Sequence, residues 1–408
     1  ADVGLIVFDE CHLIHPRDAD RSRRGVDAML CILNLTRIAP DADLLMISAM
    51  MQNAKELAGW LEELTGRTAL PLDLSWKPTR QARGCVTYPA SRISELEALL
   101  RQAKLTAKTK GAPKAVRDQM MAKPYAFFCL RQTWATVARS DYALMPLLDD
   151  AVAFNTGISK SGNWYLTPNG NKVAAEIAAA AAGDNLKTLI FVQSTVAAEG
   201  SVKAFRDLLP ERRIALTEAE AALRKRVEEE MGGAQYCYLC LDNDRQVIGG
   251  ATSHHAQLLK DERDLHKSLF ERRDGLDALF ATSTVAQGMN LPSDIVLIAG
   301  DSRWDDSQDK MKQLEAHELL NAAGRAGRAG ESGQGFVLIV PSRVIDLDDS
   351  ANKIDQHWMS LQGIFAQSDQ CLKIDDPLTE LLDRIHSGVD VSNNEEYFLA
   401  RLPLGTED

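Results

Sequence analysis

GLIVFDECHLIHP, residues 4–16, runs a short apolar segment, Leu5 to Phe8, straight into two acids, Asp9 and Glu10. An apolar run without polar alternation reads as a buried parallel strand, and such strands present functional side chains at the carboxyl edge of their sheet. The signal recurs in LLMIS (44–48), TLIFV (188–192), ALFATS (278–283), DIVLIAG (294–300) and GFVLIV (335–340), with helical patterns between the runs. Strands alternating with helices predict an α/β fold of parallel sheets with flanking helices. Residues 1 to about 75 supply too few strands for a complete sheet, whereas residues 185–345 supply enough for one.

Bulk composition narrows the class. A chain of 408 residues with 45% hydrophobic and 25% charged residues is of ordinary globular type and long enough for two or three domains. No apolar run approaches the roughly 18 residues of a membrane span, so no membrane association is expected. Seven scattered cysteines argue against a disulfide framework and for a reducing compartment, hence a cytoplasmic protein. The net charge of -12 would disfavour a phosphate-rich partner if it were evenly spread. It is not: residues 346–408 hold 14 acids against 4 Lys and Arg, while residues 91–125 hold 8 Lys and Arg against 3 acids. A nucleic-acid partner therefore remains open.

Residues 91–184 combine that basic stretch with the aromatic segment YAFFCLRQTW and an alanine-rich run, KVAAEIAAAAAG, which reads as a helix of high intrinsic propensity stopped by Gly183. The basic stretch reads as a solvated insertion rather than a phosphate contact. Cys237-x-x-Cys240 near His254 and His255 raises the question of zinc. Adjacent histidines lack the usual spacing of three to five residues, and no second cysteine pair follows, which sets zinc aside.

The tetrapeptide Asp9-Glu10-Cys11-His12 is weak evidence alone, but its company is specific. The strand LLMIS leads into Ser48-Ala49-Met50 and then MQNAKELAGWL, and far downstream come ATSTVAQGMNLP (281–292) and NAAGRAGRAG (321–330). In this order they resemble motifs II, III, V and VI of a superfamily 2 helicase. The finer pattern is similar to the DExH branch typified by the superkiller and related DNA-unwinding helicases. Asn53, Ala54, Leu57, Ala58, Trp60 and Leu61 match its helix after motif III, KPTRQARGCV (77–86) echoes its next strand, and HHAQLLKDERDLHKSLFE precedes motif V. The likeness covers residues 1–90 and 186–345.

The resemblance implies RecA-like sheets: residues 1–90 as the second half of a first motor domain, 91–184 as a helical insertion, 185–345 as a complete second motor domain, and 346–408 as an acidic connection. It implies ATP with Mg²⁺ and a DNA or RNA partner. Hydrolysing ATP needs a carboxylate to hold the metal and a group to orient or deprotonate water, roles that fall to Asp9 and Glu10. His12 would couple nucleotide state to Ser48, Ala49 and Met50. Arg325 and Arg328 of GRAGR would act as cross-domain arginine fingers, with Gly324 allowing close backbone approach. Gly288, Asn290 and Asn321 would lie near the nucleotide, Asn321 standing where the family commonly has glutamine. Ser194, Thr195, His254, His255, Thr282 and Ser283 would face the nucleic-acid backbone.

One motif is missing. A phosphate-cradling GxxxxGK[ST] occurs nowhere in the 408 residues. The chain is therefore expected to be a piece of a longer helicase, inactive alone, with the other half of its first motor domain in the same or another chain. The alternative is a non-catalytic binding or scaffold half of a split or degenerate motor.

Overall fold

In the computed structural model the described residues are 3–14, 24–48, 51–72, 80–107, 109–130, 138–282, 291, 293–305, 310–314 and 334–365. They fall into two compact units, one up to Leu72 and one from Arg80 to Phe365.

In the first unit, strands Leu5–Phe8 and Asp43–Met46 pair in parallel, Leu5 opposite Asp43 and Phe8 opposite Met46. Parallel neighbours need a crossover, supplied here through helix Arg24–Ile38. Helix Ala54–Thr65 follows and stops at Gly66, whose left-handed φ of 66° lets its N–H reach the Glu62 carbonyl. Cys11, Ile14, Met29, Ile32, Met51 and Leu57 form the core against which Phe8, Leu44, Met46 and Trp60 pack.

Among the described residues this sheet is covered on one side only. Ile6 is 9% exposed, but Leu5 and Val7 on the other face are 55% and 54% exposed, and Leu45 and Ile47 share that openness. Among the described residues the 43–46 strand pairs only with the 5–8 strand. Beside it opens a groove of about 740 Å³ lined by Ile6, Leu33, Leu44, Met46, Leu57 and Leu61, among others. A parallel strand normally has both faces buried. The apolar run at residues 5–8 is thus buried to half the extent its sequence implies.

The second unit is built on a mostly parallel sheet. Its order is Ala251–His254, Ala278–Thr282, Thr188–Val192, Ile295–Ala299, Gln334–Val340, Arg80–Pro89, Asp346–Asp348 and Lys353–Ile354. The first six strands run parallel. Tyr125–Cys129 adds antiparallel to the 80–89 strand, and Tyr142–Pro146 antiparallel to that. The α/β architecture of flanked parallel strands expected from the sequence is the one observed, and it is consistent with RecA-like domains.

The 80–89 strand joins this larger sheet, because Arg80 to Cys85 lie in register with Gln334 to Ile339. Segment 91–184 shares the same core. Its helix Ala90–Thr106 buries Ile93, Leu96 and Leu100, and its aromatic stretch becomes the 125–129 strand, with Phe127 and Phe128 buried. Helix Gly170–Gly183 is the alanine run, ending at Gly183 as read from the sequence. Propensity is only half of its explanation. Val173, Ala174, Ala175, Ile177 and Ala178 are buried in the core that also contains Ile190, Phe205 and Leu297, so small side chains let the helix lie close to the sheet. The described start of the acidic segment also belongs here, with Trp358 fully buried against Phe127 at 4.9 Å between ring centroids.

Candidate functional site

In the first unit, the carboxyl ends of both parallel strands meet. Ile47 donates its N–H to the Phe8 carbonyl and Cys11 donates to Ile47, each at 2.9 Å. Glu10 takes a left-handed φ of 54°, a conformation that costs a non-glycine residue roughly 1 kcal/mol and recurs at functional sites. Its N–H donates to Asp9 Oδ1 at 2.8 Å, which fixes the turn and leaves Asp9 Oδ2 clear of that bond.

The turn brings Glu10, His12 and Ser48 together. His12 Nδ1 lies 3.3 Å from Glu10 Oε2 and 3.2 Å from Ser48 Oγ. An ionised carboxylate only accepts, so Nδ1 carries the proton in that pairing, and one proton then serves two acceptors. His12 is 9% exposed and sits on the 3-10 turn Cys11–Ile14, so its ring is held by the fold. Cys11 beside it is buried, and burial first, then the nearby carboxylates, push its thiol up to about 12, which makes it a packing residue.

In the second unit, Ser194, Thr195, His254, His255 and Thr282 all lie at the carboxyl ends of adjacent parallel strands, the edge where open α/β sheets bind ligands. Ser194 is the N-cap of helix Thr195–Leu208, its Oγ accepting the Ala197 N–H at 3.1 Å. The hydroxyl proton can still donate outward. His254 and His255 are 2% and 0% exposed, held inside the unit rather than on its surface. His255 Nε2 lies 3.0 Å from Glu199 Oε1, and its ring meets Tyr238 edge-on at 4.9 Å. Ala49, Met50, Ser283, Gly288, Asn290, Asn321, Gly324, Arg325 and Arg328 lie outside the described residues.

Burial holds two histidines neutral. It lowers His254 to about 4, helped by the charges of Arg263, His255 and Lys267. It lowers His266 to about 3 against the opposing effect of the Ser253 carbonyl, 2.7 Å from His266 Nδ1. An unfolded histidine protonates near 6.5. As pH falls below that value the unfolded chain takes up protons that the folded unit refuses until about 4 and about 3, so stability is present above 6.5 and is lost on acidification. Each ring should contribute a slope of about 1.4 kcal/mol per pH unit in that window. Urea unfolding between pH 7 and 5 is therefore expected to show a slope for wild type steeper by about one proton than for His266→Asn. Equal slopes would mean that His266 is protonated in the folded unit.

A further cluster has no local sequence signal. Asp301, 1% exposed, follows the 295–299 strand and accepts the Ser342 N–H at 2.7 Å, while His357 Nε2 stands 2.8 Å from its other oxygen. Ser302 Oγ and Ser342 Oγ are 2.8 Å apart. Burial alone would raise the Asp301 carboxyl, but the His357 and Ser342 bonds more than offset it and leave it below the usual range. The cluster fastens helix Gln356–Phe365 to the sheet edge. Only the acid after DIVLIAG is visible in the sequence, since its partners come from distant segments.

No family model matches the chain. It is similar to helicases. Over 328 residues, 79% of the chain and 34% of the relative, it is 23% identical to the ATP-dependent DNA helicase Hel308 of Thermoplasma acidophilum. Over 76 residues, 19% of the chain and 4% of the relative, it is 33% identical to the RQC trigger complex helicase SLH1 of Saccharomyces cerevisiae. The U5 small nuclear ribonucleoprotein 200 kDa helicase of Caenorhabditis elegans is 28% identical over 145 residues, 34% of the chain and 6% of the relative. The chain thus spans about a third or less of each of these relatives. Among the described residues no helix is long and apolar enough to cross a membrane.

Proposed function

We propose that the chain is the motor portion of an ATP-dependent DNA or RNA helicase or translocase of superfamily 2, of the DExH, superkiller-like branch. It would supply the second half of a first motor domain and the whole of a second. The observation that carries this reading is the Glu10–His12–Ser48 arrangement on two parallel strand ends, with Asp9 beside it. A strained glutamate at a strand terminus, joined by a histidine to the next strand, is costly to maintain as mere scaffolding.

The donor set fits a magnesium ion that arrives with nucleotide. Mg²⁺ prefers hard oxygens and uses one or two carboxylates together with phosphates and water. Asp9 and Glu10 offer two carboxylates, while the described residues contain no group of three or more ligands for an all-protein site. Asp9 would hold the ion, which neutralises phosphate charge when bound. Glu10 would orient or deprotonate the attacking water. His12, sharing one proton between Glu10 and Ser48, would register a shift of either strand end at the other, a route from nucleotide state to the nucleic-acid-facing segments.

The bare face at Leu5, Val7, Leu45 and Ile47, the single pairing of the 43–46 strand among the described residues and the adjoining groove favour a first motor domain completed by further strands. Those strands would bring the phosphate loop. The 408-residue chain alone is expected to show no ATP hydrolysis, and joined to a segment carrying GxxxxGK[ST] it is expected to become a nucleic-acid-stimulated ATPase. Turnover by the chain alone would overturn the need for such a segment. Failure of every such joined protein to turn over ATP, while still binding nucleic acid, would favour the scaffold alternative.

A further inference from the structure

We infer that Asp301 is a positioning residue: it clamps the base of a hairpin to the carboxyl edge of the larger sheet and joins that base to helix Gln356–Phe365. The hairpin consists of Ser302–Asp305 and Lys310–Gln313, paired antiparallel with Ser302 opposite Gln313. It begins just beyond strand Ile295–Ala299, at the edge shared with Ser194 and Thr282. That this edge faces nucleic acid rests on the proposed function; the clamp does not.

Every polar group of Asp301 is engaged. Its carbonyl accepts the Leu314 N–H at 2.8 Å, which closes the hairpin at its base, and its own N–H donates to Ser342 Oγ at 3.1 Å. Its Oδ1 accepts the Ser342 N–H at 2.7 Å, and its Oδ2 stands 2.8 Å from His357 Nε2. Ser342 Oγ also lies 2.8 Å from Ser302 Oγ, so the first hairpin residue is tied to the same serine. One aspartate thus touches the hairpin base, the turn after strand Gln334–Val340 and the start of a helix. His357 is itself held: its N–H donates to Asp355 Oδ1 at 2.6 Å, the Asp355 N–H donates to the Asp346 carbonyl at 3.0 Å, and Trp358 beside it is fully buried.

The path into the hairpin is fixed as well. Gly300 takes a left-handed φ of 99° and donates its N–H to the Val340 carbonyl at 2.7 Å, and a Cβ there would collide with the Gln193 side-chain amide. Gln193, next to the N-cap Ser194, donates that amide to the Ala299 carbonyl. The exit from one strand is therefore set by the ends of its two parallel neighbours. A carboxylate that is 1% exposed is costly to bury unless it is paired, and removing one partner leaves its charge uncompensated. A neutral side chain could cap a hairpin base at lower cost. What the buried charge adds is a joint among three segments that loosens when any one contact is lost.

Hydrogen exchange of the whole chain, read by mass spectrometry in peptides spanning 300–305 and 312–316, tests the joint. His357→Phe keeps a ring but removes the donor to Asp301. Although the change lies outside the hairpin, exchange there should rise at least about tenfold, the effect of losing one hydrogen bond to a charged group, while strand Thr188–Val192 stays as protected as in wild type. His357→Gln returns an N–H near the place of Nε2 and should restore most of the protection. Labelled oligo-dT should bind the His357→Phe chain about threefold or more weakly and the His357→Gln chain as it binds wild type, because ordering a loosened element is a cost of binding. Hairpin exchange unchanged in His357→Phe overturns the joint, and loss that Gln does not restore overturns its assignment to the Asp301 contact. If His357→Phe also loosens residues 360–365, Ser342→Ala decides: it leaves the helix untouched and takes the acceptor from the Asp301 N–H, so exchange in the hairpin must still rise. Faster exchange with unchanged oligo-dT affinity overturns the positioning role. A wild-type chain that binds no oligo-dT counts against the proposed function, and exchange alone then decides the joint.

Discussion

Glu10→Gln, in the motor completed by its phosphate loop, is expected to bind ATP with near-normal affinity and to lose hydrolysis by roughly 10² to 10⁴, the range that general acid–base residues contribute. The substitution is nearly isosteric. Asp9 remains to hold the metal, and the amide of glutamine can still meet His12 Nδ1, 3.3 Å from the carboxylate it replaces. What disappears is the negative charge proposed to orient water and accept its proton. The measurement is steady-state ATPase beside equilibrium binding of a labelled nucleotide. Loss of both together would assign Glu10 to binding, and retention of both would remove it from the chemistry.

The backbone at Glu10 sharpens this expectation. A left-handed glutamate at φ 54° is held by the Asp9 hydrogen bond and by the ties between Cys11, Ile47 and Phe8, so the side chain is aimed by the fold rather than by ligand. Gln carries the same unbranched Cβ as Glu and so meets the same steric cost at positive φ, and the turn should survive. The activity loss would then be chemical.

What the sequence reveals follows from how local each feature is. The parallel strands at 188–192, 278–282 and 295–299 are legible because a strand buried on both faces writes itself as an unbroken apolar run. The same run at 5–8 misleads as to extent: whether Leu5 and Val7 are covered depends on chain segments elsewhere, and no local pattern records that. The membership of the 80–89 strand is hidden for the same reason, since its register partners lie some 250 residues downstream. The alanine run shows its helix through propensity, but its close seat on the sheet comes from neighbours such as Phe205 and Leu297.

The candidate sites divide along the same line. His12 lies two residues from Glu10, and Ser48 ends the next apolar run, so their meeting could be anticipated from short-range order plus the pairing of two strands. Histidines 254 and 255 are visible as a pair but not as buried groups. Their depth is set by helix Lys260–Glu271 and by Glu199, which the sequence does not place. Asp301 with Ser342 and His357 is assembled from three distant segments and leaves no spacing to read.

Arg328→Lys in the completed motor is expected to leave ATP binding nearly intact and to slow hydrolysis by about 10³ or more, because a donor that meets charge developing on the transferring phosphoryl group acts in the transition state. Lysine preserves the charge, so long-range attraction for nucleotide survives. It lacks the planar fork that engages two phosphoryl oxygens at once, and that geometry is what a transition state with spread charge rewards. Arg325→Lys should act in the same direction, and the larger of the two effects identifies the arginine that reaches the terminal phosphate. Both residues lie outside the described residues, so the expectation rests on GRAGR and on the roles proposed for Asp9 and Glu10. Single-turnover hydrolysis measured beside nucleotide affinity separates the outcomes: a fall in affinity without a fall in rate would make the pair ground-state ligands, and two variants as active as wild type would remove the arginines from the reaction and with them the case for this half as the catalytic partner of the first.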